Sequence, residues 1–416
     1  IMKLNLSEEA RIFIEKCFKE IENTDYRDFN IEAIYQNLKN YIPVLLILTK
    51  KYASVVANPP YMGQKSMNVD LKNYVSANYP ITKSDLMTIF MEVIPHLTED
   101  NSRFALINLP SWLFLSSFEK IRKNYIDNFT FDSLLHMGRG VFGIDFGSVA
   151  FAIKKTKSEN GIGSYFRLHE RNFQHISYKD IEKLFLYSNG KENYKYNFNK
   201  YRGEEGITEI PENGTNEGNK LFYLNIPQVN FSKIPGSPIV YWESKNIIDS
   251  FDNDNASKYV HSFQGLITGD NKKLLRNWTE LSINNITLNF GDYKDSINIQ
   301  TWVPYQKGGG YKRWYGNLEH MLFWNGTGSH LTRARTENQN YYFKNGITWT
   351  FISPGKFACR ETGIGGLWDV AGSSFFPFDD NKRDVFLALY NSCVMQLYLS
   401  LLNPTINYQV ENILAG

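Results

Sequence analysis

Cysteine is scarce in this 416-residue chain: Cys17, Cys359 and Cys393 lie far apart and form no C-x-x-C pair. A disulfide framework and a cysteine-held zinc site are thereby set aside, no metal site is expected, and a reducing cytosolic compartment is the natural setting. Long apolar runs are missing too. The longest, Ile42–Leu48, falls far short of the ~20 residues of a bilayer-spanning helix, and Ile1-Met2-Lys3-Leu4 opens no signal-peptide core. The expectation is a cytoplasmic protein with no membrane partner. Charge of one sign is also lacking. With 45 Lys and Arg against 43 Asp and Glu, the net charge is +2, so any argument for a polyanionic partner has to be local. Glycine is absent from the first 50 residues, and with it the tight turns that let a backbone approach a nucleotide cofactor.

What is plentiful is aromatic: 29 Phe, 26 Tyr and 8 Trp. These side chains build cores, and they also stack on nucleobases. The length suits two or three domains of ~100–200 residues. Residues 7–23 read as an amphipathic helix capped by Ser7, and 31–51 as a second. Ala53–Ala57 is a short apolar run halted by Asn58-Pro59-Pro60, which reads as a buried strand ending in a rigid loop. A helix capped at Ser84 or Asp85, a strand over 104–109, a helix over 117–128 and strands over 131–137 and 148–154 follow. The alternation predicts an α/β sheet with ligands at the carboxyl ends of its strands, and the last strand as an antiparallel edge. Residues 157–219 loosen into Lys, Glu, Asn, Gly and Ser and read as a linker or mobile loop region. Residues 220–416 resume as short β-like runs and close in a helical segment at about 383–402. The expected domains are thus 1–156, 157–219 and 220–416.

Asn58-Pro59-Pro60-Tyr61 is the segment that points to chemistry. The lone pair of an exocyclic ring amine is delocalised, so the nitrogen is a poor nucleophile. A carboxamide oxygen and a neighbouring backbone carbonyl can each accept one of its N–H bonds. That localises the lone pair for attack on a sulfonium methyl. Consecutive prolines fix φ and remove donors, so the loop presents its carbonyls in a set direction. Tyr61 offers a face to a flipped base. Asn-Pro-Pro is also an ordinary turn. Its place after an apolar strand in an α/β alternation is what favours catalysis.

Val55-Val56-Ala57-Asn58-Pro59-Pro60-Tyr61-Met62-Gly63 resembles the catalytic motif of amino-group methyltransferases that use S-adenosylmethionine. Lys83-Ser84-Asp85-Leu86, Ser111-Trp112-Leu113-Phe114-Leu115 and Phe146-Gly147-Ser148-Val149-Ala150-Phe151 narrow the likeness to the PglX family, adenine-specific methyltransferases of BREX phage-defence systems. Trp302-Val303-Pro304-Tyr305 and Lys312-Arg313-Trp314-Tyr315-Gly316-Asn317 continue it in order. The resemblance implies Asn58 and Pro59 as acceptors for adenine N6, with Pro60 stiffening the loop and Tyr61 stacking. It also implies a second aromatic closing over the base, Phe146 before Phe142. S-adenosylmethionine would be the methyl donor, double-stranded DNA the substrate, and other phage-defence subunits further partners. The chain departs from the family in one respect. The acidic residue, aromatic and Gly-x-Gly turn of the donor's main binding motif do not precede Asn58, so the fold expected is the C-terminal half of a Rossmann-like methyltransferase sheet. Gly138-Arg139-Gly140-Val141-Phe142-Gly143 matches G-x-G-x-x-G, but a strand follows it where a dinucleotide fingerprint requires a helix.

The second half hides a basic stretch. Residues 301–360 hold eight Lys or Arg (among them Lys307, Lys312, Arg313, Arg333 and Arg335) against Glu319 and Glu337, with thirteen aromatics interleaved. Cations and aromatics together suit a polyanion with stackable bases, whereas taken singly each aromatic is more readily core. The five named cations are the candidate DNA contacts on a β-rich (α+β) target-recognition domain. The function expected is site-specific adenine-N6 methylation of DNA. Its rivals are a non-catalytic DNA-recognition subunit carrying a methyltransferase remnant, and a methyltransferase acting on RNA or glutamine.

Overall fold

The alternating pattern of the first half produces one mixed sheet flanked by helices. In a computed structural model the chain divides into two units, Ile1–Ser232 and Lys233–Gly416. The structure describes residues 6–23, 29–141, 147–170, 174–202, 209–353, 355–403 and 407–416. Ser7 caps α1 (Glu8–Glu22) by accepting from the Ala10 N–H, and α2 spans Phe29–Thr49. Among the described residues neither helix contributes a buried side chain, and Phe13, Ile34 and Val44 are exposed.

The sheet comprises β1 (Tyr52–Ala57), β2 (Thr98–Asn108), β3 (Thr130–Arg139), β4 (Gly147–Lys154) and β5 (Ile162–Arg167), completed by β8 (Phe222–Pro227) in the order β1-β2-β4-β3-β5-β8. A two-residue ladder, β6 (Lys195–Tyr196) with β7 (Asn219–Lys220), lies between β5 and β8 in sequence. Helices α3 (Val69–Asn78), α4 (Leu86–Leu97), α5 (Glu119–Asn128) and α6 (Tyr178–Ser188) connect these strands. β1 runs parallel to β2 and β3 parallel to β5, while β4 is antiparallel to both β2 and β3. The carboxyl ends of β1, β2, β3 and β5 therefore share one edge of the sheet, the edge at which β4 begins. Phe104 and Leu106 of β2, Phe131 and Leu134 of β3 and Phe151 of β4 are buried in the layer that also holds Trp112 and Tyr125. Phe104 meets Tyr125 edge-on at 5.9 Å.

Three expectations change. β4 is antiparallel as expected but interior rather than an edge, because its short return from β3 also lets it pair with the free side of β2. β1, expected to be buried, is itself the edge strand, and Val56 is 76% exposed because nothing among the described residues covers that face. Residues 157–219, expected as a linker, contribute β5, α6 and a core built on Phe166, Leu168, Ile181, Leu184, Tyr194 and Tyr196. Their polar composition belongs to the surface of a folded layer. The unit boundary accordingly falls after Ser232, and β8 belongs to the first sheet.

The second unit is β-rich, as read. One four-stranded sheet orders β10 (Leu275–Asn277), β12 (His320–Trp324), β11 (Thr301–Gln306) and β15 (Leu367–Trp368). The other orders β14 (Cys359–Glu361), β13 (Ile347–Trp349), β16 (Ser374–Pro377) and β9 (Val260–Phe263). The closing helical segment is two helices, Arg383–Tyr390 and Cys393–Leu402, bent by 76°. The break has a local cause: the Ser392 side chain caps the second helix by accepting from Met395 N, while the Asn391 side chain bonds Cys359 and Leu387. Among the described residues no single helix is long and apolar enough to cross a membrane.

Candidate functional site

The loop after β1 is bonded on both sides to neighbouring elements. Asn58 is exposed, Pro59 buried and Tyr61 half-buried. The Tyr61 hydroxyl lies 3.0 Å from the Ile107 carbonyl of β2 and 3.1 Å from Asn58 Oδ1, and donates toward both. A hydroxyl has one hydrogen, so the two acceptors share it. The Asn58 carboxamide is thereby tied through Tyr61 to the neighbouring strand. Burial raises the Tyr61 pKa, so the hydroxyl stays a donor at neutral pH.

The far side of the loop is tied to α4. Asp85 Oδ1 accepts from Met87 N, capping the helix, and from Met62 N at 3.2 Å. Leu86 N donates to Met62 O and Gln64 N to Ser84 O. Burial raises the Asp85 pKa, and the two backbone N–H bonds oppose that shift. The sequence offered Asp85 as a cap but gave no sign of its second bond. Asn108, which ends β2 one residue past the carbonyl that receives Tyr61, was missed altogether. It is fully buried, and neither amide atom has a partner among the described residues. An amide that closes the apolar run Phe104–Ile107 was the available signal.

Asn58 and Ser133 are the polar side chains of a shallow groove of about 300 Å³, otherwise lined by apolar ones including Val56, Ala105, Ile107, Leu135 and Ala150. Gly138 and Gly140, at the end of β3, adopt φ of 70° and 112°, and a Cβ on Gly140 would meet the Ile176 carbonyl oxygen at 2.1 Å. These glycines admit a neighbouring backbone, in keeping with the rejection of a dinucleotide fingerprint there. Phe142 and Phe146 lie outside the described residues.

In the second unit the structure separates the five candidate cations. Lys307 Nζ sits 3.6 Å from Asp369 Oδ2, whose oxygen also accepts from the Tyr305 hydroxyl. Arg335, at φ 50°, donates to Gly265 O and Gln264 Oε1. Both are employed in fastening loops. Lys312 and Arg333 are exposed, and the Arg313 guanidinium lies over the Tyr311 ring at 5.6 Å. The aromatics divide in the same way. Trp324 and Trp349 are fully buried, whereas Tyr311, Trp314 and Tyr315 are more than half exposed.

Residues 3–142 match the Eco57I restriction-modification methylase family. The chain is 32% identical over 393 residues to the adenine-specific methyltransferase PglX of Lacticaseibacillus casei (strain Zhang), covering 91% of this chain and 30% of that protein. It is 32% identical over 413 residues to the adenine-specific methyltransferase BrxX of Escherichia coli O9:H4 (strain HS), covering 97% and 30% respectively. The chain thus spans about a third of the length of these relatives. Among solved structures, the DrdV–DNA complex aligns with 88% of the chain and 42% of its own at 12% identity and a TM-score of 0.46.

Proposed function

We propose, for a chain whose residues 3–142 belong to the Eco57I restriction-modification methylase family and whose length is related to PglX and BrxX, that it forms the acceptor side of a DNA adenine-N6 methyltransferase. Asn58 Oδ1 and the Pro59 carbonyl take the two N–H bonds of the adenine amine, Pro60 holds the loop rigid, and Tyr61 provides the stacking face. The observation that carries this reading is the tie from Asn58 through Tyr61 to Ile107, which holds a carboxamide at the carboxyl edge of the sheet. A ligand at that edge is what an open α/β sheet favours. Catalysis by two fixed acceptors depends on such preorganisation, because misplaced dipoles stabilise developing charge poorly.

S-adenosylmethionine, the donor the family implies, supplies an electrophilic sulfonium methyl. The described residues beside Asn58 do not make its seat. The groove there is apolar but for Asn58 and Ser133, and Asp85, the carboxylate tied to the loop, is spent on two backbone N–H groups. The assignment to Asn58–Tyr61 is therefore confined to binding and orienting the amine. The second unit reads the DNA through Lys312, Arg313 and Arg333, while Lys307 and Arg335 hold the presenting loops. Double-stranded DNA is the substrate, and a defence role beside other subunits is what the resemblance to the PglX family implies.

The test is transfer of label from S-adenosylmethionine to unmethylated duplex DNA, RNA or protein, with the chain carried in a protein of its relatives' length. N6-methyladenine in DNA that vanishes with Asn58→Ala is the expected result. Label on RNA or glutamine, or transfer that survives Asn58→Ala, would sink this reading.

A further inference from the structure

A cleft in the second unit carries features that its role in the fold does not explain. It encloses about 550 Å³ and is lined by Gly309, Gly310, Tyr311, Ile352, Gly355 and Lys356, together with Ser353 and no acidic side chain. Gly309 sits at φ 118°, and space is open at the Cβ positions of Gly310 and Gly355. Backbone groups there are accessible to a flat ligand. Ile352 is 58% and Tyr311 52% exposed, so apolar and aromatic walls face solvent beside the exposed cations Lys312 and Lys356.

Behind this cleft lies Arg360, fully buried. Its Nη1 reaches Thr350 Oγ1 at 3.4 Å, and that hydroxyl donates to Gly309 O at 3.1 Å. Nε and Nη2 of Arg360 have no partner among the described residues, and neither does Nε of Arg313, whose guanidinium rests over Tyr311. A buried guanidinium is costly unless a carboxylate or an equivalent anion answers it. No carboxylate lies within ion-pair distance of Arg360 among the described residues, Glu319 acting on it only from farther off, and an anion in front of Gly309 would offset the remaining charge. Close by, Trp314 holds a left-handed backbone at φ 74° while its N–H and C=O are bonded to Cys359 and Glu361. Its exposed indole is therefore presented from a pinned position, a strained arrangement of the kind that clusters at ligand sites.

We propose that this cleft seats one unstacked nucleotide of DNA, with Tyr311 as the platform for the base and Lys312 and Lys356 on the phosphate side. The inference rests on the reading of the second unit as a DNA-binding module and adds a specific pocket to it. The pairing is chemical. An aromatic wall beside open backbone suits the π-face and edge of a base, and cations without neighbouring acids suit a phosphodiester.

Fluorescence anisotropy of the 416-residue chain with single-stranded and duplex oligonucleotides over a salt series tests this, with 2-aminopurine reporting stacking. Tyr311→Ala is expected to weaken single-strand binding by roughly 5- to 100-fold and to abolish 2-aminopurine quenching, since stacking supplies that much per base. Tyr311→Phe keeps the ring and should bind as the wild type does, separating loss of the platform from loss of the fold. Lys356→Gln should flatten the log–log salt slope by about 1. If Tyr311→Ala and Lys356→Gln leave affinity, quenching and slope unchanged while Lys312→Gln and Arg313→Gln weaken duplex binding, the cleft is not a nucleotide seat and the DNA-reading role stands. If the wild type binds no DNA at low salt, both fall together.

Discussion

The loop after β1 and the loop between β11 and β12 both end strands and both carry exposed polar groups, yet they are held in opposite ways. Around Asn58, two residues of the loop are bonded to two other elements, Tyr61 to the Ile107 carbonyl and Met62 to Asp85 and Leu86, and Asn58 is bonded in turn to Tyr61. Around Lys312, the backbone is fixed at Trp314 and, through the Asn317 side chain, at Gly310, while Tyr311, Lys312 and Tyr315 are left to solvent. The first arrangement suits a group whose direction matters to a fraction of an ångström. The second suits recognition of a charged polymer, where placement of charge and π-surface matters more than a single bond angle.

The sharpest way to break the comparison is Asn58→Ala. Methyl transfer should fall by at least ~100-fold, the scale for loss of one preorganised polar group, while DNA affinity stays within about twofold. A comparable loss of affinity would mean that the two loops do not divide the work. Next in size is a contrast between tryptophans. Trp349 is fully buried and donates to Tyr408 O at 2.8 Å, so Trp349→Ala should cost about 3–5 kcal/mol in urea unfolding. Trp314→Ala, at a half-exposed ring, should change stability by no more than about 0.5 kcal/mol. Equal costs would refute the division of the aromatics into core and surface.

That division was legible only in part. The Asn-Pro-Pro-Tyr loop, the α/β alternation and the cap at Asp85 are local patterns, and local patterns are what a sequence displays. Whether Trp324 or Trp314 faces solvent depends on which strands pair, and β11 finds β12 and β15 across 14 to 60 residues. The same reason hid the place of β4. Its antiparallel direction followed from a short connection, but its insertion against β2 is a long-range choice. Lys307 and Arg335 looked equivalent to Lys312 because charge is visible in sequence, whereas their partners Asp369 and Gly265 lie some 60 to 70 residues away. Residues 157–219 failed as a linker because composition alone separates mobile chain poorly from the polar exterior of a folded layer.

A smaller effect sharpens the account of the stitched loop. Tyr61→Phe keeps the stacking face and removes the hydroxyl that ties Asn58 to Ile107. The rate of transfer should drop about 2- to 10-fold, the worth of one hydrogen bond, with little change in the DNA concentration that half-saturates the enzyme. A rise in that concentration with an unchanged maximal rate would assign the hydroxyl to binding instead.

The smallest effect tests the other tie. Burial raises the Asp85 pKa, so the fold favours the neutral side chain over the carboxylate. A group with a raised folded pKa contributes stability that is fully present below its unfolded value of about 3.9 and is lost as pH rises through the folded value. Asp85→Asn retains an Oδ1 to accept from Met62 N and Met87 N but carries no charge to bury. The D85N variant should therefore melt slightly above the wild type at pH 7, and the gap should close as pH falls below about 4. A D85N variant that melts lower at pH 7 would show that the charge itself strengthens the two backbone bonds by more than its burial costs. The loop would then be held to α4 by electrostatics, whereas its tie to β2 is a neutral hydrogen bond.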